Sequence, residues 1–293
     1  MNYMTLPQRV TGRQAARALY RLKPRSGDLN ILSFKEVRFI DPFGIIMAAE
    51  FLRYLFFASE RVAIYLPLDT AALGYLRRSR FVEFAANLGQ VLPESKAFYS
   101  STREEEWLLP LTPLRHEGEI PDLVGRIFTA LKSLFEKSRI LEPVLANQLS
   151  TLLAELCQNV TQHSQDLGLV IAQVYRYHND RDAGEKGRFL QLAVGDLGIG
   201  LRGSLSKRYQ TLDWDDAEVI RQALRQGVSS LSDEGRGLGL AQVYQKTALL
   251  KGSMLLHSGS SLLHSTGGGD EFSESAYFPG TQIALEYHTS RMK

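Results

Sequence analysis

The chain has 293 residues, of which 44% are hydrophobic and 23% charged, with a formal net charge of +2; that suits one large domain or two ordinary ones with a packed core, and argues against global disorder. A charge this near balance gives nucleic acid no claim as the main partner, because phosphate binding rests on a concentrated basic surface. No stretch reaches the roughly 18 consecutive apolar residues of a membrane span, the nearest, "FGIIMAAEFLRYLFFA", being interrupted by Glu50 and Arg53 at helical spacing.

A single cysteine, Cys157, excludes an internal disulfide and points to a reducing, cytoplasmic setting. In an apolar helix it reads as a small buried hydrophobe without a chemical role. At the N-terminus Arg9, Arg13, Arg17 and Arg21 fall four residues apart, with no acidic residue before Asp28. As a helix, this stretch would carry an arginine stripe facing water or an acidic partner, with Ala15, Leu19 and Leu22 packing behind it.

"DLNILSFKEVRFIDPFGIIMAAEFLRYLFF" then predicts strand, tight turn and helix: Val37, Phe39 and Ile40 are β-prone, Asp41-Pro42 breaks the strand, and Gly44 opens the apolar helix. "RVAIYLPL" predicts a short buried strand, and "DTAALGYLRRS" a helix capped by Asp69. Strand and helix alternate, so residues 1–92 are expected to form an α/β domain. Residues 93–118 change texture, with prolines, a Ser-Ser-Thr run and Glu104 to Glu106. They read as a linker containing a short strand at "WLLPLTPL". From 119 to 293 the pattern is a second α/β domain. "PDLVGRIFTALKSLFEKS" places Leu123, Ile127, Leu131, Leu134 and Phe135 on one helix face. "PVLANQLSTLLAELCQNVTQHS" does the same with Leu149, Leu152, Leu153, Leu156 and Val160, with Pro143 in the first turn. Strands at "LGLVIAQVYRY" and "RFLQLAVGD", helices at "DDAEVIRQALRQG" and "GLAQVYQKTALLKG", and closing strands at "SMLLHS" and "TQIALEYH" complete the reading.

The second long helix also carries Glu155, Asn159 and His163 at i, i+4, i+8, on one side. Such a stripe ordinarily just faces water. Here a carboxylate and a carboxamide one turn apart could instead hold a general base beside a ligand for a hard cation: an Asn oxygen suits Mg²⁺, and a Glu can activate a water or hydroxyl. Downstream, "GIGLRG" spells the G-x-G-x-x-G of a dinucleotide fingerprint, but the acidic residue expected about 20 residues on, at the end of a second strand, is replaced by Asp213, Asp215 and Asp216 at a helix start. That reading also ignores Asp196 and the second cluster "DEGRGLGLAQVYQ". An ATP site uses all of them. Asp196 at a strand end can accept from an adenine amino group, and Gly198 and Gly200 let backbone approach the nucleotide. Gly235, Gly237 and Gly239 precede a helix whose free N–H groups favour phosphate. Arg236 could reach the terminal phosphate, and "RQGVSSLSDE" has the composition of a lid.

The order "ELCQN" (Glu155, Asn159), "DLGIG" (Asp196, Gly198, Gly200), "GRGLGL" (Gly235, Arg236, Gly237, Leu238, Gly239) and "GTQIALEY" (Gly280, Thr281) resembles the GHKL superfamily, whose domain is the Bergerat fold, an α/β sandwich. The resemblance covers about residues 119 to 290. It implies ATP and Mg²⁺ as cofactors, Glu155 as base, Asn159 as Mg²⁺ ligand and Asp196 as adenine reader. It further implies that the second glycine cluster wraps the phosphates and that Thr281 supports the adenine through a water. The N-terminal half, around "FKEVRFIDPFGIIMAAEFLRYL", more loosely resembles a STAS domain, the anti-sigma-factor antagonist module. Its turn departs from the family's Asp-Ser-Ser-Gly: Pro42 and Phe43 occupy the middle of Asp41-Pro42-Phe43-Gly44, which puts a phosphoserine switch there in doubt and favours a binding or structural role.

The expectation from these resemblances is an Mg-ATP-binding cytoplasmic signalling regulator similar to anti-sigma serine kinases, acting on a protein partner, with a homodimer also compatible. A GHKL ATPase working as a conformational switch in a signalling or defence assembly, and a non-catalytic nucleotide-sensing scaffold, are the alternatives. A gyrase-like machine would be expected to continue into a transducer domain, whereas this sequence runs only a few residues past "IALEYH". An ordinary sensor histidine kinase needs an upstream phosphoacceptor histidine on a helix. Only His116 lies upstream, in proline-rich sequence, while His257 and His264 read as structural.

Overall fold

In the computed structural model the chain divides into two compact units, Met1–Glu105 and Glu106–Lys293. The structure describes residues 1–19, 22–25, 27–59, 61–92, 106–138, 143–176, 188–225, 228 and 239–288. Both units mix helices and strands, so the protein is α/β.

The first unit contains β1 (Asn2–Thr5), β2 (Arg9–Val10), α1 (Gly12–Leu19), β3 (Asn30–Ser33), β4 (Phe39–Ile40), α2 (Pro42–Ser59), β5 (Val62–Tyr65), α3 (Thr70–Arg78), α4 (Phe81–Ala86) and β6 (Gln90–Leu92). Its main sheet is parallel, in the order β1-β3-β5-β6, and β2 pairs with β4 beside it. Asp69 caps α3, its carboxylate accepting from the Ala72 N–H at 2.8 Å.

The turn at Asp41 is a helix start. Asp41 is buried; one of its carboxylate oxygens accepts from the Gly44 N–H at 2.7 Å and the other from the Gly12 N–H at 3.2 Å. Pro42 then occupies the first helical position, where its missing N–H costs nothing. Gly44 is required by close approach, since a Cβ there would fall 2.3 Å from the Val10 carbonyl oxygen. Helix α2 is long and apolar enough to cross a membrane by length and composition, yet 72% of it is buried. It also carries a buried Arg53–Glu50 ion pair at 2.7 Å. It reads as a core helix, and the described residues contain no clear membrane span.

The arginine stripe does not form one helix. Arg9 lies on β2 with its guanidinium 5.0 Å from the centre of the Phe39 ring; only Arg13 and Arg17 belong to α1, and Arg21 is outside the described residues. Gly12, at φ +43°, turns the chain between β2 and α1 and breaks the four-residue register.

The second unit contains β7 (Glu106–Leu114), α5 (Ile120–Ser138), α6 (Pro143–Asn159), β8 (Gly168–Arg176), β9 (Arg188–Gly195), α7 (Gly200–Leu205), α8 (Asp216–Ala223), α9 (Gly239–Leu249), β10 (Ser253–Thr266) and β11 (Gly269–His288). Its sheet runs β10-β11-β9-β8-β7, with every neighbouring pair antiparallel. Alternate strand residues such as Val170, Ala172, Leu190, Leu192 and Leu285 share one core with Leu123, Ile127 and Leu131 of α5, Leu149, Leu152, Leu153 and Leu156 of α6, and Val243 of α9.

Two expectations are corrected here. The linker placed at 93–118 is shorter than expected: residues 93–105 are outside the described set, 106–114 form β7, where a short strand was expected at "WLLPLTPL", and Glu117–Glu119 form a 3-10 turn. The prolines that suggested a linker, Pro110 and Pro113, are tolerated because β7 is an edge strand. The closing strands are also far longer than "SMLLHS" and "TQIALEYH". They form one hairpin that turns through Gly267-Gly268, with Thr266 paired to Gly269.

Urea unfolding followed by circular dichroism checks the capping argument. Asp41→Ala lowers stability by about 1–2 kcal/mol, the usual cost of a lost N-cap. Gly44→Ala costs more, because the Val10 backbone has to move.

Candidate functional site

The leucine face of α6 packs into the core, which turns Glu155, Asn159 and His163 to one side of a cavity of about 380 Å³. After Asn159 the helix widens into a π turn, Val160–Ser164, and Gln165 reverses the chain in the left-handed region at φ 61°. Such turns recur at functional positions because they shift the side chains that follow.

This end of α6 is tied to the loop after β9. The Ser164 carbonyl accepts from the Ile199 N–H at 3.1 Å, and the Asp166 carboxylate from the Leu197 N–H at 3.1 Å. The approach is closest at Gly198, where a Cβ would sit 1.9 Å from the Ser164 oxygen. Gly198 therefore makes room for protein backbone. It is not among the residues bordering the cavity, whereas Gly200 is.

Asp196, 3% exposed, is held from several directions. Its N–H donates to the Thr281 carbonyl at 3.0 Å, and its Oδ1 accepts from the Gly198 N–H at 2.8 Å. Gly280, at φ +80°, passes so close that a Cβ would fall 1.9 Å from the Asp196 carbonyl oxygen. The buried Gln282 side chain donates Nε2–H to that same carbonyl at 2.8 Å.

Six of the residues expected to bind the nucleotide or its metal, or to catalyse, thus border one cavity with His163: Glu155, Asn159, Asp196, Gly200, Gly239 and Thr281. Gly239, the first residue of α9, stands against α6. A Cβ there would lie 3.0 Å from Glu155 Oε2 and 3.4 Å from Asn159 Oδ1. Asn159 Nδ2 is buried and has no hydrogen-bond partner among the described residues. Gly235, Arg236, Gly237 and Leu238, and all but Arg225 and Val228 of the expected lid "RQGVSSLSDE", lie outside the described residues. A cavity of this size, apolar at Val194, Leu201, Leu205 and Ile283 and polar at Glu155, Asn159, Gln162 and His163, has the make-up of a small-molecule site. The part played by α7, which supplies Leu201, Ser204 and Leu205, was missed in the sequence; the i, i+4 leucines after Gly200 were its signal. At the rim, Gln162 donates to Glu117 at 3.3 Å.

The dinucleotide fingerprint fails on topology. A dinucleotide fold needs parallel neighbours around the glycine-bearing strand, whereas β9 is antiparallel to both β8 and β11. Arg202, within that motif, instead pairs with Asp216 at 2.8 Å and donates to the Thr211 and Trp214 carbonyls. Burial would raise the Asp216 pKa, but the Ser260 N–H and Arg202 outweigh it and hold the carboxyl below its ordinary value. Asp215 caps α8.

Burial, with Lys207 assisting, lowers the His163 pKa and favours the neutral imidazole. Burial pushes the Cys157 thiol up to about 12, so it is inert. Among the described residues no group of three or more His, Cys, Asp or Glu could hold a metal by itself.

Burial lowers His257 to about 4, partly opposed by Gln282 and Asp216. The unfolded chain, with an ordinary value of 6.5, therefore binds the proton first, so this contribution is complete above pH 6.5 and lost as pH falls toward 4. Denaturation midpoints across that window should show a loss of about 3 kcal/mol. His257→Gln, which cannot titrate there, should flatten the slope by that amount.

No protein-family model matches the chain, and a search of curated proteins likewise finds no match.

Proposed function

We propose that the cavity binds Mg-ATP and that the protein is a GHKL-type signalling regulator, cytoplasmic in setting. It phosphorylates a protein partner, or switches its grip on one, in the manner of anti-sigma serine kinases. The observation that carries this reading is the meeting of Glu155, Asn159 and the first residue of α9 at one cavity whose wall also includes Asp196 and Thr281.

In this reading the apolar walls take the base and Asp196 accepts from its amino group. The start of α9 faces the phosphates, where free N–H groups favour anions. The unpartnered Asn159 Nδ2 fits the same occupant, because phosphate oxygens supply the acceptor it lacks. Asn159 would hold Mg²⁺ through its carbonyl oxygen, with phosphate and water completing the shell, as a site without an all-protein ligand cage requires. When bound, the ion would neutralise phosphate charge. Glu155 has no hydrogen-bond or ion-pair partner among the described residues, which leaves its carboxylate available to take a proton from an attacking hydroxyl or water.

The parallel sheet and helices of the first unit support its STAS-like reading. The hydrogen bond from the Gly44 N–H to Asp41 supports a structural role for the turn at 41–44 over a phosphorylation switch.

Incubation with γ-labelled ATP, alone and with candidate partners, discriminates the outcomes. Label on a protein marks a kinase, free phosphate an ATPase switch, and binding without either a nucleotide-sensing scaffold. Glu155→Ala should reduce turnover by roughly 10²-fold or more while sparing ATP affinity. Asp196→Ala should weaken binding at least about tenfold, as loss of a charge-assisted hydrogen bond implies. Normal ATP binding by Asp196→Ala would overturn the assignment of Asp196.

A further inference from the structure

A buried chain of side chains reaches the Asp196 backbone from the hairpin arm. Two carbonyl oxygens, those of Asp196 at 2.8 Å and Pro279 at 3.1 Å, face the same end of the Gln282 carboxamide. Carbonyls only accept, so that end is the NH₂ group and the other is the oxygen Oε1. Oε1 lies 2.9 Å from His257 Nδ1, which must then carry the imidazole hydrogen. The remaining nitrogen, Nε2, is left with its lone pair toward Ser275 Oγ at 2.9 Å, so the serine hydroxyl donates. Every bond therefore points the same way: Ser275 to His257, His257 to Gln282, Gln282 to Asp196. Gln282 and His257 are both fully buried, and aligned chains of this kind polarise and strengthen one another.

Ser275 belongs to an irregular part of the hairpin. Between the pairs Gly259–Phe278 and Ser261–Glu274, β11 uses three intervening residues where β10 uses one, so Ser275, Ala276 and Tyr277 bulge from the ladder. A bulge re-aims a side chain that regular pairing would send elsewhere, and here the re-aimed group is the Ser275 hydroxyl that ends the chain.

We infer that Gln282 is a positioning residue for ligand recognition. Backed by His257 and Ser275, it fixes the Asp196 peptide so that the carboxylate faces the part of the cavity where a purine amino group binds. The inference rests on the ATP reading above. Gln282 touches no ligand itself; it acts through Asp196.

The test compares Mg-ATP with Mg-inosine triphosphate, which carries a carbonyl in place of the 6-amino group, by calorimetric titration of the full chain. Gln282→Met should weaken ATP binding at least tenfold and leave inosine triphosphate binding unchanged, so that discrimination collapses. Equal losses for both nucleotides, or no loss, would overturn the inference. If the Met variant does not fold, Gln282→Glu serves instead: it keeps an acceptor for His257 but removes the donor to Asp196, and the same two results decide. Amide hydrogen exchange in the nucleotide-free chain gives an independent readout. Gln282→Met should speed exchange at Leu197 and Gly198 at least tenfold while Val170 of β8 is unchanged; unaltered exchange at both counts against positioning. If the wild-type chain binds neither nucleotide, the ATP reading fails, and the exchange result still decides whether Gln282 positions Asp196.

Discussion

Backbone crowding at two glycines holds the candidate site together. The Ser164 carbonyl occupies the space a Cβ would need at Gly198, and the Asp196 carbonyl does so at Gly280. Through these contacts the end of α6, the loop after β9 and the middle of β11 approach to within hydrogen-bonding range of one another. Asp166, Asp196 and Gln282 then use that proximity to tie the loop from both sides. Any side chain at either glycine would push the three segments apart, and the cavity they border would lose its shape.

That cavity joins two kinds of wall. One is apolar and rigid, because Val194 and Ile283 belong to paired strands and Leu201 and Leu205 to a helix anchored by the Arg202–Asp216 pair. The other is polar, with the half-buried Glu155 carboxylate beside a buried Asn159 carboxamide nitrogen that lacks an acceptor among the described residues. Buried polar groups in folded proteins are nearly always paired. An orphan at the edge of a cavity is a group that a bound acceptor would satisfy, and the ATP reading proposed above supplies one.

Much of this was legible in the sequence where a period or a cap carried the signal. The leucine rows of α5 and α6, the Asp69 cap, and the stripe of Glu155, Asn159 and His163 follow from helical spacing alone. Other features depended on tertiary context that no local pattern contains. Gly198 looked like a residue making room for a nucleotide, but it makes room for Ser164, a contact across 34 positions in the chain. The arginines at 9, 13 and 17 have helical spacing, yet Gly12 takes a positive φ and splits them between a strand and a helix. Pro110 and Pro113 contributed to the linker reading even though a short strand was expected across them, and only the strand order shows that this strand, β7, lies at an edge. The buried Gln282 was invisible, since a glutamine in an alternating strand reads as a surface residue until its partners are known.

Nuclear magnetic resonance titration with Mg-ATP tests the central claim most directly, because the Asn159 side-chain amide and the Gly239 backbone amide report on the meeting point of α6 and α9. The account predicts saturable shifts at both, together with Gly200 and Thr281, all fitting a single dissociation constant. Absence of shifts at Asn159 and Gly239, with perturbation elsewhere or none at all, would contradict it.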